Sequence, residues 1–320
     1  MTWLVTGGAG YIGAHVVRAL RDAGQPVAVL DDLSTGRRDR LPPDVPFLQG
    51  DIADVDAVEH LLTDHDVQGV VHLAAKKSVP ESVARPLYYY RENVGGFGAL
   101  LSAMRAAHVR RLVLSSSASV FGTPGTDSVD EESPTLPENP YGRSKLICEW
   151  MLADAASAGP WHWIALRYFN VAGAGAPELG DRGVTNLIPA VFAALSAGER
   201  AQVFGGDWPT RDGTCVRDYI HVVDLARAHV AAVQRLTDSQ PYGRIFHVGR
   251  GVGVTVQEVL DTVAEVTGHQ MEREVVARRP GDPAAVVGAV ERIAAELGWR
   301  AERDLRDMIA SAWEAWQRVG

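Results

Sequence analysis

Lysine is nearly absent from this chain. Of the 31 lysine and arginine residues among 320, only Lys76, Lys77 and Lys145 are lysine, and the formal net charge at pH 7 is -9. A surface without a basic excess cannot neutralise many phosphates, so we expect no nucleic-acid or anionic-membrane partner. Any anionic ligand must then be held by local positive groups.

Cysteine is equally scarce. Cys148 and Cys215 are too few for a disulfide framework, and no cluster of cysteine and histidine has the spacing of a zinc site. No apolar run reaches membrane-spanning length, and the start MTWLVTGG lacks the basic and long apolar segments of a signal peptide. We therefore expect no metal, no membrane association and a cytoplasmic location.

The first half of the chain alternates short apolar runs with amphipathic segments. Such a series predicts right-handed crossovers and an α/β fold of Rossmann type, a doubly wound parallel sheet with helices on both faces. The predicted strands are 3–7, 26–31, 69–75, 111–117 and 163–169, and the predicted helices are 11–23, 54–65, 81–107 and 140–158.

The second half is less regular. Residues 170–183 are dense in Gly, Ala and Pro and predict the exit from the first lobe. Beyond them the pattern predicts helices 184–197, 222–236, 255–267 and 303–318, strands near 201–204, 244–248 and 272–276, and a loop at 205–215. We therefore predict a Rossmann domain over 1–169 and a smaller C-terminal α/β domain over 170–320, with part of about 216–248 returning to the first.

A glycine-rich turn, TGGAGYIG at residues 6–13, follows the first predicted strand. Gly7, Gly10 and Gly13 suit a tight turn that brings the backbone close to a pyrophosphate at a helix N-terminus. Glycines of this spacing also occur in plain strand-to-helix turns, so the context decides. The next strand ends in Asp31, whose carboxylate can bind a ribose 2′-hydroxyl and repels a 2′-phosphate, which favours NAD over NADP.

The isolated Lys145 lies four residues after Tyr141, in NPYGRSK. Asn139 and Pro140 suit the start of a helix, which would place both side chains on one face. A cation about 4 Å from the phenol, at an effective dielectric of about 20, is worth roughly 4 kcal/mol, or about three pKa units. Tyr141 could then act as a base, assisted by a serine from the strand that ends in SSS.

These motifs together resemble the extended short-chain dehydrogenase/reductase family and, within it, the UDP-glucose 4-epimerases. The resemblance runs along the whole chain. It rests on VTGGAGYIG (5–13), GDI (50–52), ENV (92–94), SSSASVFG (115–122), PYGRSK (140–145), LRYFNVAG (166–173), RDYIHVVDLA (217–226) and RRPGD (278–282). Related 4,6-dehydratases carry an Asp-Glu pair after the catalytic serine or threonine; here Ala118 follows Ser117, so dehydration is not expected.

The resemblance implies roles for individual residues. Ser117, Tyr141 and Lys145 would be catalytic. Tightly held NAD would contact Gly7, Gly10, Tyr11, Ile12, Gly13, Asp31, Asp51, Ile52, Lys77, Asn93, Tyr141, Lys145 and Tyr168. The nucleotide-sugar would contact Ser117, Ser119, Tyr141, Asn170, Asn186, Phe204, Arg217, Arg279, Asp282 and Val286. Arginine suits a diphosphate in an acidic protein, although Arg217 and Arg279 could also form ordinary surface ion pairs. Lys76 is expected to be solvated.

The sequence thus predicts an NAD-dependent epimerase acting at C4 of a UDP-hexose, plain or N-acetylated, through a 4-keto sugar. Two alternatives stay open. One is another nucleotide-sugar epimerase or a decarboxylase of the same fold, although the extra cation that a uronate needs is not evident. The other is a protein that senses NAD without turnover, for which an intact triad has no use. The resemblance also implies a homodimer, formed through helices 81–107 and 140–158.

Overall fold

A computed structural model of the chain describes residues 1–125, 128–237, 242–279 and 281–318. Residues 238–241 of the segment 216–248, and Pro280 of the RRPGD motif, lie outside these ranges. The strands are β1 (Thr2–Thr6), β2 (Val27–Asp31), β3 (Phe47–Gln49), β4 (Val67–His72), β5 (Arg111–Ser117), β6 (Ser128–Val129), β7 (His162–Tyr168), β8 (Asn170–Ala172), β9 (Ala201–Phe204), β10 (Val216–His221), β11 (Gly243–Val248), β12 (Gly253–Thr255), β13 (Arg273–Val276) and β14 (Ala285–Gly288).

Helices pack on both faces of the main sheet, and further helices occur in the second half of the chain. They are α1 (Tyr11–Asp22), α2 (Val55–Asp64), α3 (Val79–Ala84), α4 (Pro86–Tyr89), α5 (Gly96–Ala106), α6 (Pro140–Ser157), α7 (Leu187–Ala197), α8 (Val222–Thr237), α9 (Val256–Thr267), α10 (Glu291–Leu297) and α11 (Leu305–Gln317). A π-helical segment, Tyr90–Gly95, joins α4 to α5.

The main sheet has seven parallel strands in the order β11-β7-β5-β4-β1-β2-β3. The chain runs outward from β1 through β2 and β3, then returns to β4 on the other side. This reversal creates a crevice at the carboxyl ends of β1 and β4, where ligands bind in doubly wound folds. The predicted fold class is therefore confirmed.

The strands of the sheet are buried on both faces, which explains their continuous apolar sequences. In β1, Trp3 and Val5 belong to a core layer with α1 and α8, whereas Leu4 belongs to a second layer with α2, α5 and α6. Each side of the sheet therefore has its own apolar core, and the polar residues that follow the strands are left at one edge.

The predicted helix 81–107 is wrong as a continuous element. Pro86 disfavours the helical conformation at Arg85, whose φ and ψ are -135° and 60°, so α3 ends there. The π-helical segment then adds a second irregularity before α5 begins at Gly96. Local widening of this kind is often found at functional sites, and here it carries Asn93.

The strand β10 was not predicted, although it is central to a second sheet. That sheet has the order β12-β10-β14-β6, and β8 also pairs with β10. Beyond residue 216 the chain rejoins the main sheet, because β11 pairs with β7 and α8 packs on α1. The division into two domains at residues 169 and 170 stays a prediction.

Candidate active site

A large cleft-like cavity of about 1410 Å³ runs along the carboxyl edge of the main sheet and continues to α7, β9 and β10. Most of the residues that we predicted at the site line it. They are Gly7, Gly10, Tyr11, Ile12, Gly13, Asp31, Asp51, Ile52, Lys77, Ser117, Ser119, Tyr141, Lys145, Tyr168, Asn170, Asn186, Phe204, Arg217, Arg279 and Asp282. The strand topology therefore gathers residues from both halves of the sequence.

The glycine turn between β1 and α1 has no room for side chains. Gly7 has a φ of +71°, and a Cβ atom there would lie 2.7 Å from the backbone nitrogen of Ala74. At Gly13 an added Cβ would lie 2.1 Å from the carbonyl oxygen of Gly7. Close backbone contacts thus hold the turn against the segment that follows β4. Such a tight turn is the cradle that a dinucleotide pyrophosphate requires.

Asp31 ends β2 and holds the glycine turn to the next loop. Its carboxylate accepts hydrogen bonds from the backbone amides of Ala9 and Leu33, both at 2.9 Å. Burial raises the pKa of Asp31, while the Leu33 and Ala9 amides lower it. A carboxylate fixed in this way at the cleft wall fits the ribose-binding position of a dinucleotide site.

Lys76 is not freely solvated, contrary to expectation. Its ammonium group donates to Ser34 Oγ at 2.8 Å and lies 3.2 Å from the carboxylate of Asp32. The backbone of Lys76 is also fixed, because Asn93 Oδ1 accepts from its amide at 2.8 Å and Asn93 Nδ2 donates to its carbonyl at 3.0 Å. Both residues therefore shape the wall where Lys77 emerges.

Asn93 itself is buried behind this wall. Its amide nitrogen also donates to Ser144 Oγ on α6 at 2.9 Å, and its side chain is 2% exposed. In front of it, Ile52 packs against Gly96, and the exposed Asp51 accepts a hydrogen bond from the Ala53 amide at 2.9 Å. Asn93 is placed to act on a ligand through the Lys76–Lys77 backbone, whereas Asp51 and Ile52 reach the cleft directly.

The predicted triad comes together where β5 ends and α6 begins. Asn139 caps α6, since its Oδ1 accepts from the Gly142 amide at 2.9 Å. The side chains of Tyr141 and Ser117 both line the cleft here, and Ser117 Oγ accepts from the Ser119 amide at 3.1 Å. One helical turn after Tyr141, the Lys145 ammonium group donates to the Ser115 carbonyl at 2.8 Å.

Burial dominates the electrostatics of this triad. It raises the pKa of Tyr141, whereas the nearby Ser117 hydroxyl lowers it. Burial likewise lowers the pKa of Lys145, while Cys148 and Glu149 raise it. The expected strong lowering of the Tyr141 pKa by Lys145 is therefore not seen in the protein alone, where the ammonium group is engaged by a carbonyl.

The far side of the cleft carries the positive groups. The Arg279 guanidinium lies 3.7 Å from the centre of the Phe204 ring, as in a cation–π contact. Arg217 donates to the carbonyl of Val216 at 2.8 Å and lies 3.8 Å from Asp282. These contacts are local and partly exposed, so both guanidinium groups keep donors available for a ligand.

Two asparagines line the same side. Asn186 precedes α7 and donates to the Asp181 carboxylate at 2.6 Å, without capping the helix. Asn170, at the start of β8, is the strand partner of Tyr219 in β10, whose pKa burial raises to about 12. Both amides can donate to or accept from a ligand hydroxyl or phosphate group.

Val286, like Asn93, is a predicted site residue that does not line the cleft. It is 7% exposed in β14, beside Arg217 of β10, and packs with Phe121, Phe169 and Leu146. The gapless count from Asp282 places this side chain in a small apolar core beneath the cleft. Its contact with a sugar therefore stays a prediction.

The cleft also contains residues that sequence reasoning missed. They include Asp181, Arg182, Cys215 and Tyr219, and Lys76, which was expected to be solvated, also lines the cleft. The first two lie in a Gly- and Ala-rich segment that the sequence indicated only as a connection. Tyr219 lies in the RDYIHVVDLA motif, and treating that motif as a strand would have pointed it toward the same face as Arg217.

Other classes of site find no support in the part of the chain that the structure describes. Across residues 1–125, 128–237, 242–279 and 281–318, no group of three His, Cys, Asp or Glu side chains is arranged to hold a metal ion. In the same ranges, every helix is too short or too polar to cross a membrane.

Comparison with known proteins agrees with this geometry. Residues 3–249 match the model of the NAD dependent epimerase/dehydratase family. A UDP-glucose 4-epimerase of Azospirillum brasilense is 45% identical over 98% of this chain and 91% of its own length, and one of Corynebacterium glutamicum is 43% identical over 100% and 97%.

Among solved structures, the UDP-glucose 4-epimerase of Stenotrophomonas maltophila was crystallised with NAD and a formylated UDP-arabinopyranose. It is 41% identical to this chain, with a TM-score of 0.95 and coverage of 100% of this chain and 98% of its own. Fold, cleft and whole-length similarity lead to one assignment: the chain belongs to the NAD-dependent epimerase/dehydratase family and, within it, to the UDP-glucose 4-epimerases.

Proposed function

We propose that this protein interconverts UDP-glucose and UDP-galactose by NAD-dependent epimerisation at C4. The observation that carries the proposal is that Ser117, Tyr141 and the buried Lys145, which lies one helical turn after Tyr141, line the same cleft. This group lies in a cleft that also contains a dinucleotide turn on one wall and Arg217 and Arg279 on the other.

The first wall fits NAD. Bound NAD supplies a reversible hydride acceptor, so the cofactor is not consumed and has to stay in place between turnovers. The glycine turn has space for backbone and pyrophosphate only, and Asp31 stands at the end of β2. The residues that would hold the cofactor are Gly7, Gly10, Tyr11, Ile12, Gly13, Asp31, Asp51, Ile52, Lys77, Asn93, Tyr141, Lys145 and Tyr168.

Tyr141 is the proposed base and acid. Its phenolate takes the proton from the sugar O4 hydroxyl as C4 is oxidised to the ketone, and returns that proton to O4 after the keto sugar has turned over. Ser117 orients the shared proton. Burial raises the Tyr141 pKa, and the role proposed for the Lys145 charge during the reaction is to oppose that effect by favouring the phenolate.

The second wall is proposed to hold the nucleotide diphosphate. The net charge of -9 leaves no general attraction for an anion, so Arg217 and Arg279 have to supply it locally. Phe204, beneath Arg279, offers a ring face to the base, and Asn170, Asn186, Ser119 and Asp282 offer polar contacts. A substrate that is bound by its nucleotide diphosphate can turn its hexose ring within the cleft without dissociating from the protein.

The same site is proposed to accept the N-acetylated pair, UDP-GlcNAc and UDP-GalNAc. Valine at position 286 is much smaller than the tyrosine found there in some family members, and a merely wider apolar pocket discriminates weakly. Comparing the steady-state kinetics of both substrate pairs tests this, and undetectable turnover of UDP-GlcNAc would contradict it. Val286→Tyr should suppress the acetylated reaction selectively; its melting temperature has to be checked, since Val286 is packed in a core.

A C2 homodimer is the proposed assembly, in the cytoplasm. Val83 on α3, Leu87 on α4 and Trp150 on α6 are 63%, 80% and 57% exposed, and these three helices pack together. Large apolar side chains on adjacent helices are typical of an interface. Light scattering at micromolar concentration should give twice the chain mass, and Leu87→Glu should give the chain mass.

Two measurements on the purified protein test the main proposal. Ultraviolet absorbance should reveal bound NAD, and proton NMR of UDP-galactose incubated with the enzyme should show conversion to UDP-glucose without added cofactor. Bound NAD without turnover of any UDP-hexose would instead indicate a sensor. Turnover confined to a UDP-uronate would indicate the related epimerase or decarboxylase.

A further inference from the structure

A buried carboxylate, Glu149, continues the line of the proposed catalytic residues along α6. Tyr141, Lys145 and Glu149 are spaced four residues apart, so they occupy one face of the helix. Glu149 is 3% exposed. Its Oε1 accepts from Arg167 Nε at 2.9 Å and its Oε2 from Arg167 Nη2 at 2.7 Å, a two-pronged ion pair that is equally buried.

This carboxylate ties together the elements that carry the proposed triad. Ser116 Oγ on β5 also donates to Glu149. Ser116 stands between Ser115, whose carbonyl receives the Lys145 ammonium group, and Ser117. On the other side, Arg167 of β7 immediately precedes Tyr168, which lines the cleft. One side chain thus joins β5, α6 and β7 directly beneath the reacting groups.

A buried ion pair is a costly way to provide this connection. Well-packed apolar residues of similar volume often stabilise a fold as well or better, because two charges lose their hydration on burial. The pair is nevertheless fully engaged: Arg167 also donates to the Glu131 carbonyl at 3.4 Å and lies 5.2 Å from the Phe121 ring centre. A functional role for the negative charge of Glu149 would explain why a buried ion pair, and not an apolar contact, stands at this position.

We propose that Glu149 is a positioning residue of the epimerase reaction, which fixes the strand end that carries Ser117 and supplies the negative charge that keeps Lys145 an ammonium ion. This inference rests on the proposed function, because it gives Lys145 its catalytic meaning. Glu149 does not line the cleft. It acts only through the residues above it on α6 and on β5.

The other charged groups around Lys145 do not replace Glu149. On its own helix the remaining neighbours are Tyr141 and Cys148, and burial raises the pKa of both. From β4, His72 faces Lys145 and stays neutral, since burial lowers its pKa to about 3. In the segments packed on α6, the acids and bases pair with each other: Glu81 with Arg85 on α3, and Arg91 with Glu92 in the π-helical segment.

The scarcity of lysine allows a direct test. Protein labelled with ε-¹³C-lysine should give three lysine signals, and Lys145→Met assigns the one from Lys145. In a pH titration, Glu149→Gln should lower the pKa of Lys145 by about one unit, because a negative neighbour is lost and Arg167 remains. The pKa values of Lys76 and Lys77 should not move.

A double variant guards against misfolding. Glu149→Gln leaves the Arg167 charge buried without its partner, whereas Glu149→Gln/Arg167→Met removes both charges. The double variant should shift the Lys145 pKa in the same direction by a smaller amount, because a positive neighbour is lost too. Glu149→Asp, which keeps the charge, should restore most of the wild-type pKa.

Kinetics separate positioning from simple support of the fold. Glu149→Gln should lower kcat for UDP-galactose roughly tenfold to hundredfold, with little change in KM. The matched control is Asp224→Asn, which removes another buried carboxylate that pairs with an arginine, Arg303, away from the cleft. It should lower the melting temperature and leave both kcat and the Lys145 pKa unchanged.

The outcomes are distinct. A Lys145 pKa equal to the wild-type value in both the single and the double variant would overturn the role of the charge. So would the same pKa shift in Asp224→Asn. The titration needs no turnover, so its result stands apart from the proposed function, which would be overturned by a wild-type enzyme that binds NAD and leaves UDP-galactose unchanged.

Discussion

The two walls of the cleft are held in different ways. On the cofactor side, Asp31, Asn93 and Lys145 each bond to backbone groups of the protein itself at 2.8 to 3.0 Å. On the substrate side, Arg217 donates to the carbonyl of the adjacent Val216 at 2.8 Å and stands 3.8 Å from Asp282, while Arg279 rests on a ring face. The first wall is tied to distant segments and is preorganised for a ligand that stays, whereas the arginines of the second wall have mainly local contacts and keep donors for a ligand that is exchanged at every turnover.

The largest loss of activity is expected for a substitution of Tyr141, which lies where the cofactor wall and the substrate wall meet. Tyr141→Phe removes the hydroxyl that we propose to move the O4 proton, so kcat should fall about a thousandfold or more. NAD should remain bound, because the glycine turn and Asp31 are untouched. Conversion of UDP-galactose, together with absorbance for bound NAD, measures both.

The control for this substitution is Tyr242→Phe. Tyr242 donates to Glu296 at 2.7 Å at the other end of the sheet, beside β11, so its loss should leave activity intact. Retention of more than a few per cent of activity by Tyr141→Phe would show that another group is the base.

The next largest effect tests how rigid the cofactor wall is. Gly13→Ala introduces a Cβ atom 2.1 Å from the Gly7 carbonyl oxygen, a distance that forces the turn to open. We expect purified Gly13→Ala to contain little NAD. Its free energy of unfolding should fall by about 2 to 4 kcal/mol, so it should also melt at a lower temperature. Absorbance and thermal melting report the two effects.

Gly95→Ala is the matched control, since it adds the same methyl group elsewhere. Its Cβ atom would lie 3.9 Å from the nearest backbone oxygen, an ordinary contact, and its φ of -61° suits alanine. This variant should keep its NAD. Full NAD content in Gly13→Ala would show that the turn is more adaptable than its backbone contacts indicate.

A smaller effect is expected on the substrate wall, because its contacts are individually weak. Arg279→Ala should raise the KM for UDP-galactose about tenfold and leave NAD content unchanged. The neighbouring Arg278 is the control: it pairs with Asp207 at 2.8 Å and lies over Trp208, outside the cleft lining. Equal effects from Arg278→Ala and Arg279→Ala would mean that position in the loop, and not contact with the diphosphate, sets the KM.

The same contrast explains which features could be predicted from the sequence. The glycine turn, the Tyr141–Lys145 spacing and the central strands depend on residues close together in the chain, so local patterns reveal them. By contrast, β10 was missed because Arg217 and Asp218 interrupt its apolar pattern. Asp218 is buried only because it accepts the Arg250 and Gly251 amides at 2.8 and 3.0 Å, contacts more than thirty residues away.

The break in helix 81–107 had a visible cause in Pro86, but the π-helical segment had no such signal in the sequence. This segment is revealed by its tertiary contacts, because its Asn93 is hydrogen-bonded to both Lys76 and Ser144 on two other segments. The placement of Val286 shows the opposite limit, since counting along a family motif gives a position in the chain and not the direction of a side chain.

The smallest expected effect concerns the buried histidines behind the walls. Burial lowers the pKa of five of them, to about 4 for His15, His221 and His229, and to about 3 for His72 and His247. An unfolded chain takes up protons on these groups as the pH falls below about 6.5, whereas the folded chain does not. Their contribution to stability is therefore complete above that pH and is lost as the pH falls toward 4.

His72 allows this acid sensitivity to be measured at one site. It is 2% exposed, stacks on Phe97 and forms a hydrogen bond with Thr6 Oγ1 at 2.8 Å, which glutamine can replace. Between pH 7.5 and pH 5, urea unfolding should show a loss of stability that is about 2 kcal/mol smaller in His72→Gln than in the wild type. The exposed His60 is the control, and His60→Gln should match the wild type.

Asp218 works in the opposite direction, since burial raises its pKa to about 6 and the folded chain then takes up a proton first. Because that gain is common to all three proteins, it cancels in the comparison, and an equal loss of stability in His72→Gln and the wild type would mean that His72 is protonated in the folded state.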